Sequence, residues 1–292
     1  MVKVVLGLLI ILTIFFAVAF LRDYIKATKE GNIEKTNFFA LGVVGFITNF
    51  FDTLGIGSFS PTTALLKNFK LSKDRTLPGT LNVACTVPVA AEAILFINGI
   101  EVEPVTLFSL LIAATVGAVV AAGVVSKLDE RKVQFAMGTA LIIVALVMLA
   151  GKLNLMPAGG DAVGLHGAKL AIAIIGNFIL GALMTLGIGL YAPCMALVYS
   201  LGMSPKVAFP IMMGSCAFLM PAASLKFIKE GAYDRKASMA ITVFGLVGVF
   251  IAYYLVKSLP LNILTWLVIV VIIYTSAMMF KSASKARKTV KA

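Results

Sequence analysis

This chain of 292 residues has one histidine, one tryptophan and three cysteines. Those scarcities exclude several kinds of chemistry. Cys85, Cys194 and Cys216 each stand inside an apolar segment without a CxxC partner, so neither a disulfide framework nor a thiolate metal site is expected. His166 lies in a Gly-rich connector and reads as a solvated loop residue. No cofactor or metal is expected. With no grouped Ser, His and Asp and no nucleotide-binding phrase, the chain is not expected to be an enzyme.

Charge is scarce too, at 13% of residues against 60% hydrophobic ones, and the mean hydropathy is +1.03. Ordinary soluble domains are about a quarter charged. The composition is that of an all-α polytopic membrane protein. Apolar runs near the length needed to cross a hydrocarbon core recur at about 4–21, 76–97, 105–126, 132–150, 207–225, 238–256 and 262–280. The net charge of +12 does not point to nucleic acid, because the basic residues fall in short clusters between these runs, as in cytoplasmic loops. Ala17-Val18-Ala19 has the form of a signal cleavage site. Only Lys3 precedes that run, however, while Arg22, Lys26, Lys29 and Lys35 follow it, which favours an uncleaved helix with its N-terminus outside.

Against this plain background one phrase occurs twice: Thr53-Leu-Gly-Ile-Gly-Ser-Phe-Ser-Pro61-Thr-Thr-Ala-Leu65 and Thr185-Leu-Gly-Ile-Gly-Leu-Tyr-Ala-Pro193-Cys-Met-Ala-Leu197. The copies lie 132 residues apart, and eight of the fourteen pairs from Thr53/Thr185 to Leu66/Val198 are identical. Ser72/Ser204, Pro78/Pro210, Ala90/Ala222 and Gly99/Gly231 continue the match at the same offset. A whole bundle is duplicated. Gly/Pro-broken segments at corresponding places in two apolar halves point to a transporter site.

Each phrase can be a full crossing or a re-entrant hairpin, and charge distinguishes the two. With hairpins, twenty Lys and Arg residues fall on the cytoplasmic side and five outside; with crossings the split is 15 to 10. The positive-inside rule favours hairpins, although a tilted, locally unwound crossing leaves a similar sequence pattern. The expected architecture is an extra N-terminal helix and basic loop (1–36), a first repeat (37–150), a connector (151–170), a second, inverted repeat (171–280) and a basic cytoplasmic tail (281–292). Each repeat holds one broken-helix hairpin and three crossings.

Bare backbone is costly in lipid unless it faces protein or a watery cavity. Ser60-Pro61 and Ala192-Pro193 read as helix starts with Pro in the first helical position. A helix N-terminus at membrane depth favours an anion. Gly55, Gly57, Ser58, Ser60, Thr62 and Thr63 form one expected substrate half-site, and Gly187, Gly189, Tyr191 and Cys194 the other. Asn82, Thr86, Ser215 and Cys216 follow the phrases and line a path or pack as small polar residues.

Two acids fall within apolar segments, where ionisable groups are functional candidates. Asp52 directly precedes the first glycine turn, and Met184 stands in its place in the second copy. It could carry a coupling proton, help hold Na⁺, or accept main-chain N–H bonds at the turn. Glu92, about five residues from the outer end of its helix, reads first as a carboxylate snorkelling to the interface and alternatively as a proton-coupling group.

These residues resemble the TauE/SafE family of membrane permeases, also called the 4-toluene sulfonate uptake permease family. Leu54-Gly-Ile-Gly57 with Pro61, and Leu186-Gly-Ile-Gly189 with Pro193, match its Gly-rich turn followed by Pro in each half. The likeness covers about 38–280. It implies transport of a small sulfur-containing oxyanion such as sulfite, sulfoacetate or a sulfonate, as an exporter coupled to protons, working by alternating access around the two motifs. Ser58 and Leu190 replace the family's third glycine, which bears on the substrate more than on the fold. A passive anion channel on the same scaffold is the alternative. Expected partners are the anion, a coupling proton or Na⁺, membrane lipid and, as one arrangement, a second copy in a homodimer. The expected location is the inner membrane of a prokaryotic cell, with the C-terminus cytoplasmic.

Overall fold

The computed structural model describes residues 2–73, 76–125, 130–153, 155, 160–184 and 189–289. Eleven helices account for the regular structure among them: α1 (Val2–Lys29), α2 (Phe38–Thr53), α3 (Phe59–Asn68), α4 (Leu77–Gly99), α5 (Pro104–Val125), α6 (Glu130–Lys152), α7 (Gly167–Met184), α8 (Tyr191–Ser200), α9 (Pro205–Glu230), α10 (Arg235–Ser258) and α11 (Leu261–Thr289). Six described stretches are long and apolar enough to cross a membrane: Val2–Lys29, Leu77–Gly99, Gly167–Met184, Pro205–Glu230, Arg235–Ser258 and Asn262–Ser284. Shorter apolar helices are Phe38–Thr53, Pro104–Val120 and Gly138–Lys152. Five of the seven runs expected from sequence coincide with these long spans. The sixth span is α7, the arm that the hairpin reading stops at mid-depth. At 18 residues it measures about 27 Å, close to the thickness of the hydrocarbon core.

The chain forms two compact units: residues 1–99 with 216–258, and residues 100–215 with 259–292. In the first, α10 lies along α2 at backbone contact. A methyl group on Gly45 would come within 2.5 Å of Ile241 Cα, and one on Gly248 within 2.5 Å of the Phe46 carbonyl oxygen. Gly245 makes room for the carboxamide of Asn49. Small residues are what permit helices to approach this closely.

In the second unit α5 lies along α7 with the same register. Adding 132 to each α2 number and subtracting 131 from each α10 number turns Gly45–Ile241 into Asn177–Leu110, Asn49–Gly245 into Gly181–Ala114, and Phe46–Gly248 into Phe178–Gly117. All three are contacts of the structure: Asn177 Nδ2 donates to the Leu110 carbonyl at 2.7 Å, Gly181 abuts the Ala114 carbonyl and Gly117 abuts that of Phe178. The helix opening each copy of the duplicated segment thus packs on a helix belonging to the other copy. Also in this unit, α6 packs on α11, where Ser276 Oγ donates to the Gly138 carbonyl at 2.7 Å.

The first helix is built into its unit. Phe16 and Phe20 pack with Val83 and Tyr233 in one buried cluster. The Tyr233 hydroxyl donates to Asp23 Oδ2 at 2.5 Å, and Arg235 Nε donates to the same oxygen at 2.7 Å. Glu34 accepts the main-chain N–H groups of Arg235 (3.2 Å) and Lys236 (3.1 Å) at the start of α10, where a carboxylate suits the exposed N–H groups and the helix dipole. Asp234 accepts the Ala237 N–H at 2.8 Å as a cap of the same helix and receives the Ser72 hydroxyl at 3.3 Å. Burial pushes the Asp234 carboxyl up to about 6, against the opposing effect of these two donors. The Tyr233 phenol is also held well above its usual range, first by burial and then by its bond to Asp23.

Candidate functional site

The first copy of the repeated phrase is a tight turn between two helices. At the end of α2, Gly55 N–H donates to the Asp52 carbonyl at 2.7 Å and Ile56 N–H to that of Phe51 at 3.2 Å. This pair of bonds closes a helix whose next residue is left-handed, and Gly55 has φ +93°. Gly57 follows with φ +88°, and α3 begins two residues later. The helix start differs from the sequence expectation. The N-cap is Ser58, so Pro61 is the third helical residue and not the first, and in the second copy Leu190 and Pro193 hold the same positions. Proline is tolerated there because none of the first N–H groups has an acceptor inside the helix.

The turn brings Asp52, in the last turn of α2, against Ser58 at the start of α3. Asp52, 2% exposed, accepts the Ser58 hydroxyl at 3.0 Å on Oδ2. Ser58 Oγ also lies 3.6 Å from Cys85 Sγ on α4. The neighbouring Thr53 directs its hydroxyl to Glu92 Oε1 of α4 at 2.7 Å and to the Asn49 carbonyl at 2.9 Å. Glu92 is wholly buried, and the snorkelling reading is therefore corrected: the side chain turns inward to a partner on α2 and does not run out to the interface. Thr62 is also wholly buried, and its hydroxyl oxygen has no hydrogen-bond partner among the described residues. Thr63 is half-buried on the same helix, and Ser60 lies within α3 with its side chain outside the described atoms.

From its N-cap onward the second copy repeats the backbone of the first. Leu190 has φ −79° and ψ −27°, against −82° and −28° for Ser58, and α8 is ten residues long, as α3 is. Residues 185–188, including Gly187, lie outside the described residues. Gly189 is exposed, while Tyr191 and Cys194 are buried in the first turns of α8. The chemistry differs between the copies: where Ser58 offers a hydroxyl, Leu190 has only carbon. The carboxyl group of Asp52 is likewise replaced by the thioether of Met184.

A model of the sulfite exporter TauE/SafE family matches residues 1–148 and 169–292. The chain belongs to this family. It is thus an integral membrane protein of a transporter family, and the resemblance read from the duplicated glycine turns holds. The extent of the likeness is wider than expected, because the match takes in α1 and the basic C-terminal stretch, which carry none of the motif residues. No curated protein and no solved structure matches the chain at a significant level.

Among the expected path residues of this TauE/SafE protein, Thr86 is buried and shares a 2.8 Å hydrogen bond with Ser224 of α9, while Asn82 turns its carboxamide to the Pro78 carbonyl at 2.9 Å. Ser215 is buried beside Asn177 Nδ2 at 3.0 Å, and Cys216 is buried next to it in sequence. Two residues passed over in the sequence reading emerge here. Asn49 and Asn177 are both wholly buried, and each has a carboxamide oxygen with no hydrogen-bond partner among the described residues. Their signal in the sequence is an amide within an otherwise apolar helix.

Proposed function

We propose that this protein is a secondary transporter of a small sulfur-containing oxyanion such as sulfite, sulfoacetate or a related sulfonate. In this reading it works as a proton-coupled exporter by alternating access, with each repeated phrase supplying one anion-binding half-site. Family membership supports the sulfur anion. The observation that carries the mechanism is the turn at Gly55 and Gly57, which sets the buried acid Asp52 against the start of α3 and Glu92 against Thr53. A carboxylic acid buried beside a helix N-terminus can make the charge of the site depend on a proton. That dependence is what coupling requires.

In the same reading, Gly55, Gly57, Ser58, Ser60, Thr62 and Thr63 bind anion in the first half; Gly187, Gly189, Tyr191 and Cys194 do so in the second. Asp52 and Glu92 carry the coupling proton. The repeated register of α2 on α10 and α7 on α5 supports an internal pseudo-symmetry of the kind on which alternating access is built.

The test is solute flux in proteoliposomes of the purified chain. Counterflow of labelled sulfite, competed by sulfoacetate or a simple sulfonate and driven by an imposed pH gradient, is the expected result. Flux that ignores the pH gradient and shows no counterflow makes the protein a passive anion channel. No flux of any sulfur oxyanion overturns the reading.

A further inference from the structure

The N-terminus of α3 is already matched with a carboxyl group, and that group belongs to the protein. Ser58 stands at the N-cap, yet its side chain does not cap its own helix. It donates instead to Asp52, which the positive-φ turns at Gly55 and Gly57 have folded back from the end of α2. Thr62 lies one turn further along α3. Because Ser58 has helical backbone angles, the two side chains share a face, as residues four apart do. The Thr62 hydroxyl is wholly buried on that face and has no hydrogen-bond partner among the described residues, although a buried hydroxyl without a partner is costly. The start of α3 therefore has one donor held by Asp52 and a second hydroxyl awaiting an acceptor.

We propose that the Asp52 carboxylate is the resident anion of the α3 N-terminus in the substrate-free protein, and that a substrate oxyanion is held there only when Asp52 takes up a proton and releases Ser58. This rests on the anion-transport reading above and extends it by giving Asp52 the role of a competitor for the substrate's own site. Two anions at one helix N-terminus repel each other strongly in a water-poor setting. Protonation removes the charge of the resident acid, the Ser58 hydroxyl turns to the incoming oxyanion, and Thr62 gains the acceptor it lacks. No covalent bond changes; one proton moves from solvent to an Asp52 oxygen. Proton and anion then leave together, because reionised Asp52 again takes Ser58, and export by this route is driven by the outward gradient of the anion.

Among the described residues, Ser58 and Thr53 bring two titratable groups of α4 to this turn, Cys85 and Glu92. On α3 the nearest charged residue is Lys67, in its last turn. Against this end of α2, α10 presents Gly245 and Gly248, which carry no charge. The second phrase has Met184 in place of Asp52, so its helix start has no equivalent resident acid.

Titration calorimetry of the full-length protein in detergent tests this, using thiosulfate and methanesulfonate, strong-acid anions that keep one charge state from pH 5 to pH 8. Two buffers of different ionisation enthalpy report the protons taken up. In the wild type, affinity should rise up to about tenfold per pH unit fall while Asp52 is ionised, with uptake approaching one proton per anion. Asp52→Asn should bind at pH 8 about as tightly as the wild type does at its acid limit, change less than about twofold with pH, and take up no proton. Wild-type binding without pH dependence or proton uptake overturns the inference even if Asp52→Asn cannot be purified, and so does an Asp52→Asn protein that still takes up a proton. No binding of either anion at any pH overturns the transport reading itself.

Discussion

The Thr53 hydroxyl lies 2.7 Å from Glu92 Oε1 and 2.9 Å from the Asn49 carbonyl oxygen, so one hydroxyl hydrogen serves two acceptors. A proton on Glu92 would supply the second hydrogen. Glu92→Gln, which is neutral and brings its own N–H, is therefore expected to keep a melting temperature close to that of the wild type. Thr53→Val removes this donor from a wholly buried carboxyl and should destabilise by about 1–3 kcal/mol. Thermal unfolding in detergent, followed by thiol labelling of the three buried cysteines, compares the two. A larger loss in Glu92→Gln than in Thr53→Val would mean that Glu92 is held as a charge.

The glycine contacts that set α2 on α10 and α7 on α5 should be unforgiving. Gly45→Ala would drive its methyl into Ile241 and Gly181→Ala into the Ala114 carbonyl, so each is expected to cost about 1–3 kcal/mol, the range for overpacking. Gly7→Ala in α1 has open space and should be neutral or slightly stabilising, since alanine is the better helix former. Gly57→Ala also has open space but a φ of +88°, and should cost about 1–2 kcal/mol through backbone strain alone. Melting temperatures of the four variants check the order.

Asp234 makes stability depend on pH. Its carboxyl is raised from 3.8 to about 6, chiefly by burial, so the folded protein holds a proton there that the unfolded chain releases earlier. The contribution is fully present below about pH 4 and is lost as pH rises through about 6. Asp234→Asn keeps an oxygen for the Ala237 N–H and should flatten this part of the profile. The readout is the difference in melting temperature between wild type and variant at pH 4.5 and pH 7.5, with the variant gaining on the wild type at the higher pH.

The tie between α1 and α10 should be measurable as a coupling. Asp23 receives both Tyr233 and Arg235 on one oxygen, with the ion pair about one-fifth exposed, so solvent screens it only partly. A double-mutant cycle of Asp23→Asn with Arg235→Gln is expected to give a coupling of about 1 kcal/mol, and Tyr233→Phe a smaller loss by itself. A coupling indistinguishable from zero would mean that apolar packing, such as the cluster of Phe16, Phe20, Val83 and Tyr233, holds the first helix without help from the ion pair.

The sequence alone determined that this is a helical membrane protein, that it is duplicated, and that the first copy breaks at a Gly-Ile-Gly turn, because these follow from composition, from self-similarity and from what glycine and proline permit in a backbone. It also led to the family through those turns. The tertiary structure decided which helix each helix packs on, since an apolar face with small residues names no partner; α5 lies on α7 and α10 on α2 because glycines meet carbonyls in matching register. It decided the environments of Asp52 and Glu92 as well. A carboxylate in an apolar segment can run out to water or turn inward to a donor, and only the packing that puts Ser58 and Thr53 beside these two acids settles the choice.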